Sequence, residues 1–262
     1  VLVWSSADAN IGVLCGPPGL GRRNEYHSPS KRARDIQRAC VHNALATRAC
    51  PSGGGSEKHS DGTCCGEQLL GDPSGIGPEL CAKLLEERSG RESNRVVLIG
   101  EPSLFENGKR VAGIELEAPL VQNIREIPDG GIGMLQGPEL QMDGVRVGEA
   151  SETCGRYALD SFRRASALCK SGELDGFCFA TMNKESLRLG GNTHEDDLRF
   201  VADELEHKGY CCELNTTGGL WTSRVTSHIP SKEVATLITE DGILDAVKMA
   251  HQALLEAGIS MT

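Results

Sequence analysis

The sequence predicts an α/β fold over residues 67–262, on three observations. Helix-type and strand-type hydrophobic patterns alternate from residue 67 onward. The run Val96-Val97-Leu98-Ile99 is apolar and largely β-branched and closes on Gly100, the pattern of a strand buried on both faces of a parallel sheet. A turn rich in glycine and proline, Gly71-Asp72-Pro73-Ser74-Gly75-Ile76-Gly77-Pro78-Glu79, runs straight into an amphipathic helix.

That helix starts near Pro78 and Glu79, residues suited to a first turn, and places Leu80, Leu84 and Leu85 on one face. A helix N-terminus after such a turn offers N–H groups and a positive dipole end, which favours anions. Glycine content alone equally describes a structural turn ahead of a core helix. Residues 101–150, rich in Gly and Pro with short apolar runs, predict loops and β-hairpins rather than long helices.

Gly155 to Cys169 predicts a helix, with Leu159, Phe162, Ala165 and Leu168 in register and Ser171-Gly172 as its stop. Phe177 to Thr181 follows as a strand that delivers Asn183 and Lys184 at its C-terminal end, where open α/β sheets bind ligands. A helix is expected from Glu195 to His207, on Leu198, Val201, Ala202 and Leu205. Trp221 to Ser227 predicts a strand ending at His228, just before Pro230. Ile243 to Ala257 predicts a helix with Ile243, Val247, Ala250 and Leu254 inward, and Gly258-Ile259 begins a further strand.

Residues 1–66 differ from the rest. They are rich in Ser, Gly, Arg and Cys, lack sustained periodicity and contain few large apolar residues, so a low-complexity, disordered or unrelated segment is expected there. The stretch from Arg22 to Arg48 is also compatible with organelle targeting. The division is therefore 1–66 and 67–262.

The net charge of −10 over 262 residues argues against a general nucleic-acid binder. Residues 1–58 hold eight Lys/Arg and four Asp/Glu, a net of +4, which leaves −14 for the rest. Eleven cysteines occur without a C-x-x-C pair. A secreted disulfide scaffold does not fit this length, so they read as reduced thiols, and the expected compartment is cytoplasmic. No apolar run has the length of a membrane span.

Three segments carry a family resemblance: Gly71 to Glu79; Met182-Asn183-Lys184-Glu185-Ser186-Leu187; and Val225-Thr226-Ser227-His228-Ile229-Pro230. In order and rough spacing they resemble the 4-hydroxythreonine-4-phosphate dehydrogenase family. The resemblance implies an α/β/α architecture like the isocitrate and isopropylmalate dehydrogenases. It also implies NAD-dependent oxidation, with decarboxylation, of a phosphorylated hydroxy acid such as 4-phosphohydroxy-L-threonine, by a homodimer requiring a divalent metal (Zn, Co or Mg). No G-x-G-x-x-G fingerprint occurs, since Gly75-x-Gly77 leads to Leu80 and Gly131-x-Gly133 to Gln136, and the family does not use one.

On its own context, His228 reads as a hydrogen-bonded structural histidine; the resemblance makes it one of three histidines that hold the metal. Lys184 is a solvated surface lysine or, by resemblance, a catalytic-site cation for the substrate phosphate. Asp72 is held toward the cleft by its Gly-Pro frame as a second catalytic candidate. Gly191-Asn192-Thr193-His194-Glu195 stands where the family has Gly-His-Thr-Glu, which makes Asn192, Thr193 and His194 substrate-binding candidates. Thr193 is alternatively a helix cap ahead of acidic first-turn residues.

The resemblance covers 69–262 at most, and two later family motifs, Asn-Pro-His-Ala-Gly-Glu and Tyr-His-Asp-Gln, are absent. The family's apolar first strand is replaced by Cys64-Cys65-Gly66-Glu67-Gln68. An incomplete fold with weak or no activity is the expectation. The departure at Asn192 keeps open a phosphothreonate or phosphoerythronate dehydrogenase paralogue, and a non-catalytic remnant that binds a metabolite or partner is the rival of another class.

Overall fold

A computed structural model of the chain describes residues 2–5, 10–14, 65–88, 95–174, 176–217, 220–227 and 229–256. Among the described residues nine strands form one sheet: β1 (Leu2–Ser5), β2 (Asn10–Leu14), β3 (Cys65–Leu69), β4 (Arg95–Gly100), β5 (Leu120–Val121), β6 (Ile132–Gln136), β7 (Gly176–Phe179), β8 (Cys211–Thr217) and β9 (Leu220–Thr222). Their spatial order is β5-β6-β4-β3-β7-β1-β2-β8-β9. From β5 to β1 all neighbours are parallel, and from β1 to β9 all are antiparallel. The helices are α1 (Gly77–Arg88), α2 (Pro102–Ala112), α3 (Glu152–Ser171), α4 (Lys184–Leu189), α5 (Asp197–Glu204), α6 (Ser231–Leu237) and α7 (Glu240–Glu256).

The sheet is covered on both faces, which explains the unbroken apolar run in β4. Val97 and Ile99 face one way, into a core with Leu69, Phe177, Phe179 and residues of α3 and α5. Val96 and Leu98 face the other way, with Cys178, Cys81 and Leu85 of α1, and Leu104 and Phe105 of α2. The layering is α/β/α. Phe162 of α3 anchors the first core, edge-on to Phe179 at 5.0 Å and tilted against Phe200 at 6.0 Å. Among the described residues no helix is long and apolar enough to cross a membrane.

Several elements depart from the sequence expectation. Leu2–Ser5 and Asn10–Leu14, expected to lack regular structure, are strands that bridge β7 to β8. Each is a short apolar stretch inside an otherwise polar segment, and flanking strands on both sides recruit such stretches without long periodicity. The rest of 1–64 lies outside the described residues. The boundary at 66/67 falls inside β3, a central strand despite Glu67 and Gln68, because its neighbours β4 and β7 supply the ladder on both sides.

Residues 101–150 contain a real helix, α2, started by Pro102 and stopped by Gly113 at φ +70. Ser231–Leu237 and Cys211–Thr217 form an unanticipated helix and strand, while the strand expected at Trp221–Ser227 shrinks to Leu220–Thr222. The buried face of α1 is Cys81, Ala82 and Leu85, with Leu80 exposed. On α7 the buried residues are Ala246, Met249 and Ala253, whereas Ile243 and Val247 are exposed. The strand expected from Gly258 lies outside the described residues.

Tyr157, buried on α3, accepts the Glu101 backbone N–H at 3.0 Å where α2 begins. Burial pushes its hydroxyl up to about 12. Tyr157→Phe strands that N–H, and the expected loss is about 1 kcal/mol. A lower urea midpoint at unchanged slope is the check.

Candidate active site

The parallel register sets Leu69 of β3 opposite Phe179 of β7, so the segments leaving both strands emerge side by side at the C-terminal edge. The Asp72 N–H donates to the Thr181 carbonyl at 3.0 Å and ties the two together. Gly71 makes this approach possible. It sits at φ +83, and a Cβ there would meet the Thr181 oxygen at 2.6 Å. A Cβ on Gly77 would collide with the Leu70 carbonyl where α1 turns back over the loop.

Asp72 is buried, at 2% exposure. Its Oδ1 accepts the Ser74 N–H at 2.7 Å and the Ser74 hydroxyl at 2.6 Å. Its Oδ2 is buried without a hydrogen-bond partner. The Gly75 N–H donates to the Asp72 carbonyl at 3.0 Å, so the Ser74 and Gly75 N–H groups are engaged within the turn and that of Asp72 by Thr181 just past β7. At these three residues the loop presents a framed carboxylate. Sequence reasoning missed Cys154, which packs fully buried against this turn, with Ser74 and the Asp72 charge nearby. Burial pushes its thiol up, and it stays protonated and unsuited to nucleophilic attack. Ser151, whose hydroxyl accepts the Cys154 N–H at the start of α3, was the available signal.

Beyond β7, Asn183 caps α4: its Oδ1 accepts the Glu185 and Ser186 N–H groups. Lys184, first residue of α4, is exposed and lines a pocket of ≈ 260 Å³ together with Arg188, Asn192, His194, Glu195 and Asp196. Two of the three substrate-binding candidates thus meet Lys184 in one pocket. Thr193 is exposed and does not line it. Nor is Thr193 a helix cap: Asp196 takes that place by accepting the Arg199 N–H at 2.7 Å. Asn192 Oδ1 accepts the His194 N–H at 2.9 Å, a local turn that aims the imidazole inward. That ring stands edge-on to Phe200 at 5.8 Å, with Nε2 3.6 Å from Asp203 Oδ2. Arg188 is bound to Glu185 at 2.6 Å.

His228 lies outside the described residues. β9, the strand before it, is the far edge of the sheet, with β7, β1, β2 and β8 between it and β3. Among the described residues no three His, Cys, Asp or Glu side chains gather to hold a metal ion.

Known proteins match this chain in sequence and in fold. Residues 92–262 match the family described as pyridoxal phosphate biosynthetic protein PdxA. The chain belongs to this family. A PdxA-type relative from Pseudomonas aeruginosa, provisionally named 4-hydroxythreonine-4-phosphate dehydrogenase 2, is 36% identical over 194 residues, covering 73% of this chain and 58% of its own. One from Oceanobacillus iheyensis, provisionally named D-threonate 4-phosphate dehydrogenase, is 24% identical over 192 residues, covering 72% and 58%. The chain thus spans 58% of the length of both relatives. Among solved structures, a 4-hydroxythreonine-4-phosphate dehydrogenase from Burkholderia phymatum superposes with TM-score 0.65 at 24% identity, over 75% of this chain and 60% of that one. One from Klebsiella pneumoniae gives 0.63 at 22%, over 76% and 60%. These structures share the PdxA-type α/β/α fold.

Proposed function

We propose that the chain forms the substrate-side portion of a dehydrogenase that oxidises a phosphorylated hydroxy acid, with NAD as hydride acceptor. The observation that carries this reading is the meeting of the Asp72 turn with the Thr181–Lys184 segment at the C-terminal edge of the sheet, beside the pocket of Lys184, Asn192 and His194. NAD, when bound, would supply the hydride acceptor for the alcohol carbon, with the hydroxyl proton passing to a base, and the resulting β-keto acid would lose carbon dioxide. Lys184 supplies positive charge for the phosphate. Asp72 Oδ2, buried and unpaired, accepts a donor from the bound ligand. A divalent metal, held in part by His228, would polarise the alcohol and then the ketone. The complete fold is read as a homodimer.

The pocket also carries Glu185, Glu195, Asp196 and Asp197. Glu185 is paired with Arg188 and Asp196 caps α5, so Glu195 is the carboxylate proposed to meet an ammonium beside the phosphate, and 4-phosphohydroxy-L-threonine should be preferred over D-threonate 4-phosphate. The test is equilibrium binding of both compounds with and without zinc, cobalt or magnesium, together with NADH formation. Metal should tighten binding, and His228→Ala should weaken it roughly tenfold or more and abolish NADH formation. Binding indifferent to metal and to His228 would replace the enzyme with a metabolite-binding remnant.

A further inference from the structure

Among the described residues that line the Lys184 pocket, His194 is the one whose type ordinarily gains and loses a proton near neutral pH. Its setting is fixed on three sides. Asn192 Oδ1 accepts the His194 N–H at 2.9 Å and sets the backbone. Phe200 of α5, buried, stands edge-on to the ring at 5.8 Å. Phe200 is itself held by Phe162, 6.0 Å away, and by the Arg163 guanidinium, 5.4 Å from its ring. Asp203, three residues further along α5, brings Oδ2 to 3.6 Å from Nε2. None of these polar contacts uses Nδ1.

We propose that His194 is the base that takes the hydroxyl proton, and that Asp203 is its positioning residue. This assignment rests on the reaction proposed above and names a group which that reaction needs. A carboxylate on the Nε2 side keeps the proton of the neutral ring on Nε2 and leaves the Nδ1 lone pair to accept. The ring takes a proton only: the O–H bond breaks toward Nδ1, and its electron pair closes the C=O bond. The hydride of the same carbon would go to the nicotinamide acceptor of the proposed reaction. The imidazolium so formed has Asp203 on one side and Glu195, Asp196 and Asp197 around the pocket, against the Lys184 cation, while Arg188 is bound to Glu185. At 3.6 Å, Nε2 and Oδ2 sit about 0.5 Å outside hydrogen-bond range, a gap of the size that substrate binding closes in catalytic sites.

Two measurements on the full chain test this. Nitrogen NMR of the histidine rings, with the His194 signals identified by their loss in His194→Ala, should show its proton held on Nε2 nearly completely. In Asp203→Ala, a change at an exposed helix position, the two tautomers should mix. A ring protonated on Nδ1, or one indifferent to Asp203→Ala, overturns the inference. In the second measurement, NADH formation from 4-phosphohydroxy-L-threonine, His194→Ala should lower kcat roughly 100-fold or more with KM nearly unchanged. Imidazole added to the solution should restore part of that rate, and His194→Gln, which keeps much of the ring's bulk, should show the same loss. Asp203→Ala should lower kcat about tenfold, because Asp203 stays largely in water, with no further loss when both residues are changed. A His194→Ala chain that turns over normally removes the base and leaves the dehydrogenase reading standing. An unaltered chain that forms no NADH sinks both.

Discussion

Gly155→Ala is expected to cost about 3 kcal/mol or more, because the added methyl has nowhere to go. Gly155 lies in the first turns of α3, where its Cβ would fall inside the Ser186 carbonyl of α4. Both partners are backbone, so no side chain can swing aside. Gly190, just past the end of α4, is fitted to the same contact: its own Cβ would meet the backbone of Gly155 and Arg156. Gly190 has an ordinary helical φ of −72, so glycine is required there for space and not for conformation. Thermal melting checks the prediction, since about 1 kcal/mol moves a domain of this size by roughly 2–4 °C. The same shift should loosen ligand binding, because α4 begins at Lys184. A variant that melts like its parent would show that α3 and α4 do not meet as described.

Asp72 separates stability from chemistry. Asp72→Ala leaves the Ser74 N–H and hydroxyl without their acceptor in a buried turn, an expected loss of about 2 kcal/mol. Asp72→Asn keeps an accepting oxygen at the Oδ1 position, and its cost should stay below about 1 kcal/mol. The amide instead puts an NH2 where the unpaired Oδ2 stands, which repels any ligand donor. Ligand affinity or turnover should then fall roughly tenfold to a hundredfold. Urea unfolding and substrate titration on the two variants decide it. If Asp72→Asn binds and turns over normally, Asp72 serves the turn alone.

What the sequence revealed and what it hid have physical causes. The strands β4 and β7 and the helix α3 were legible because each is buried on a face with a clear period: Leu159, Phe162, Ala165 and Leu168 all lie inside. α2 was hidden behind Pro102 and Gly108, which read as loop residues; the proline starts the helix, and Gly108 admits the backbone of Pro78. β1 and β2 were illegible because four- and five-residue strands take their stability from neighbours distant in sequence. The register of α7 was misassigned in part: Ala250 packs toward β8 as expected, but Met249 and not Ile243 or Val247 fills the sheet side. Within the site, Asp72, Lys184, Asn192 and His194, the last three lining one pocket, were singled out through motif order. Ser74, Cys154 and the Gly155–Gly190 contact were not, because small residues that matter for fit carry no chemical signature.

The insertion of β1 and β2 into the middle of the sheet bears on how the polypeptide is made. Leu2 pairs with Gly176 and Asn10 with Asn215, so the strands within residues 2–14 wait for partners synthesised far later. Contacts of such span slow folding and leave the nascent strand open to wrong pairings meanwhile. Removing those first residues would divide the sheet into two unconnected blocks, one ending at β7 and the other beginning at β8.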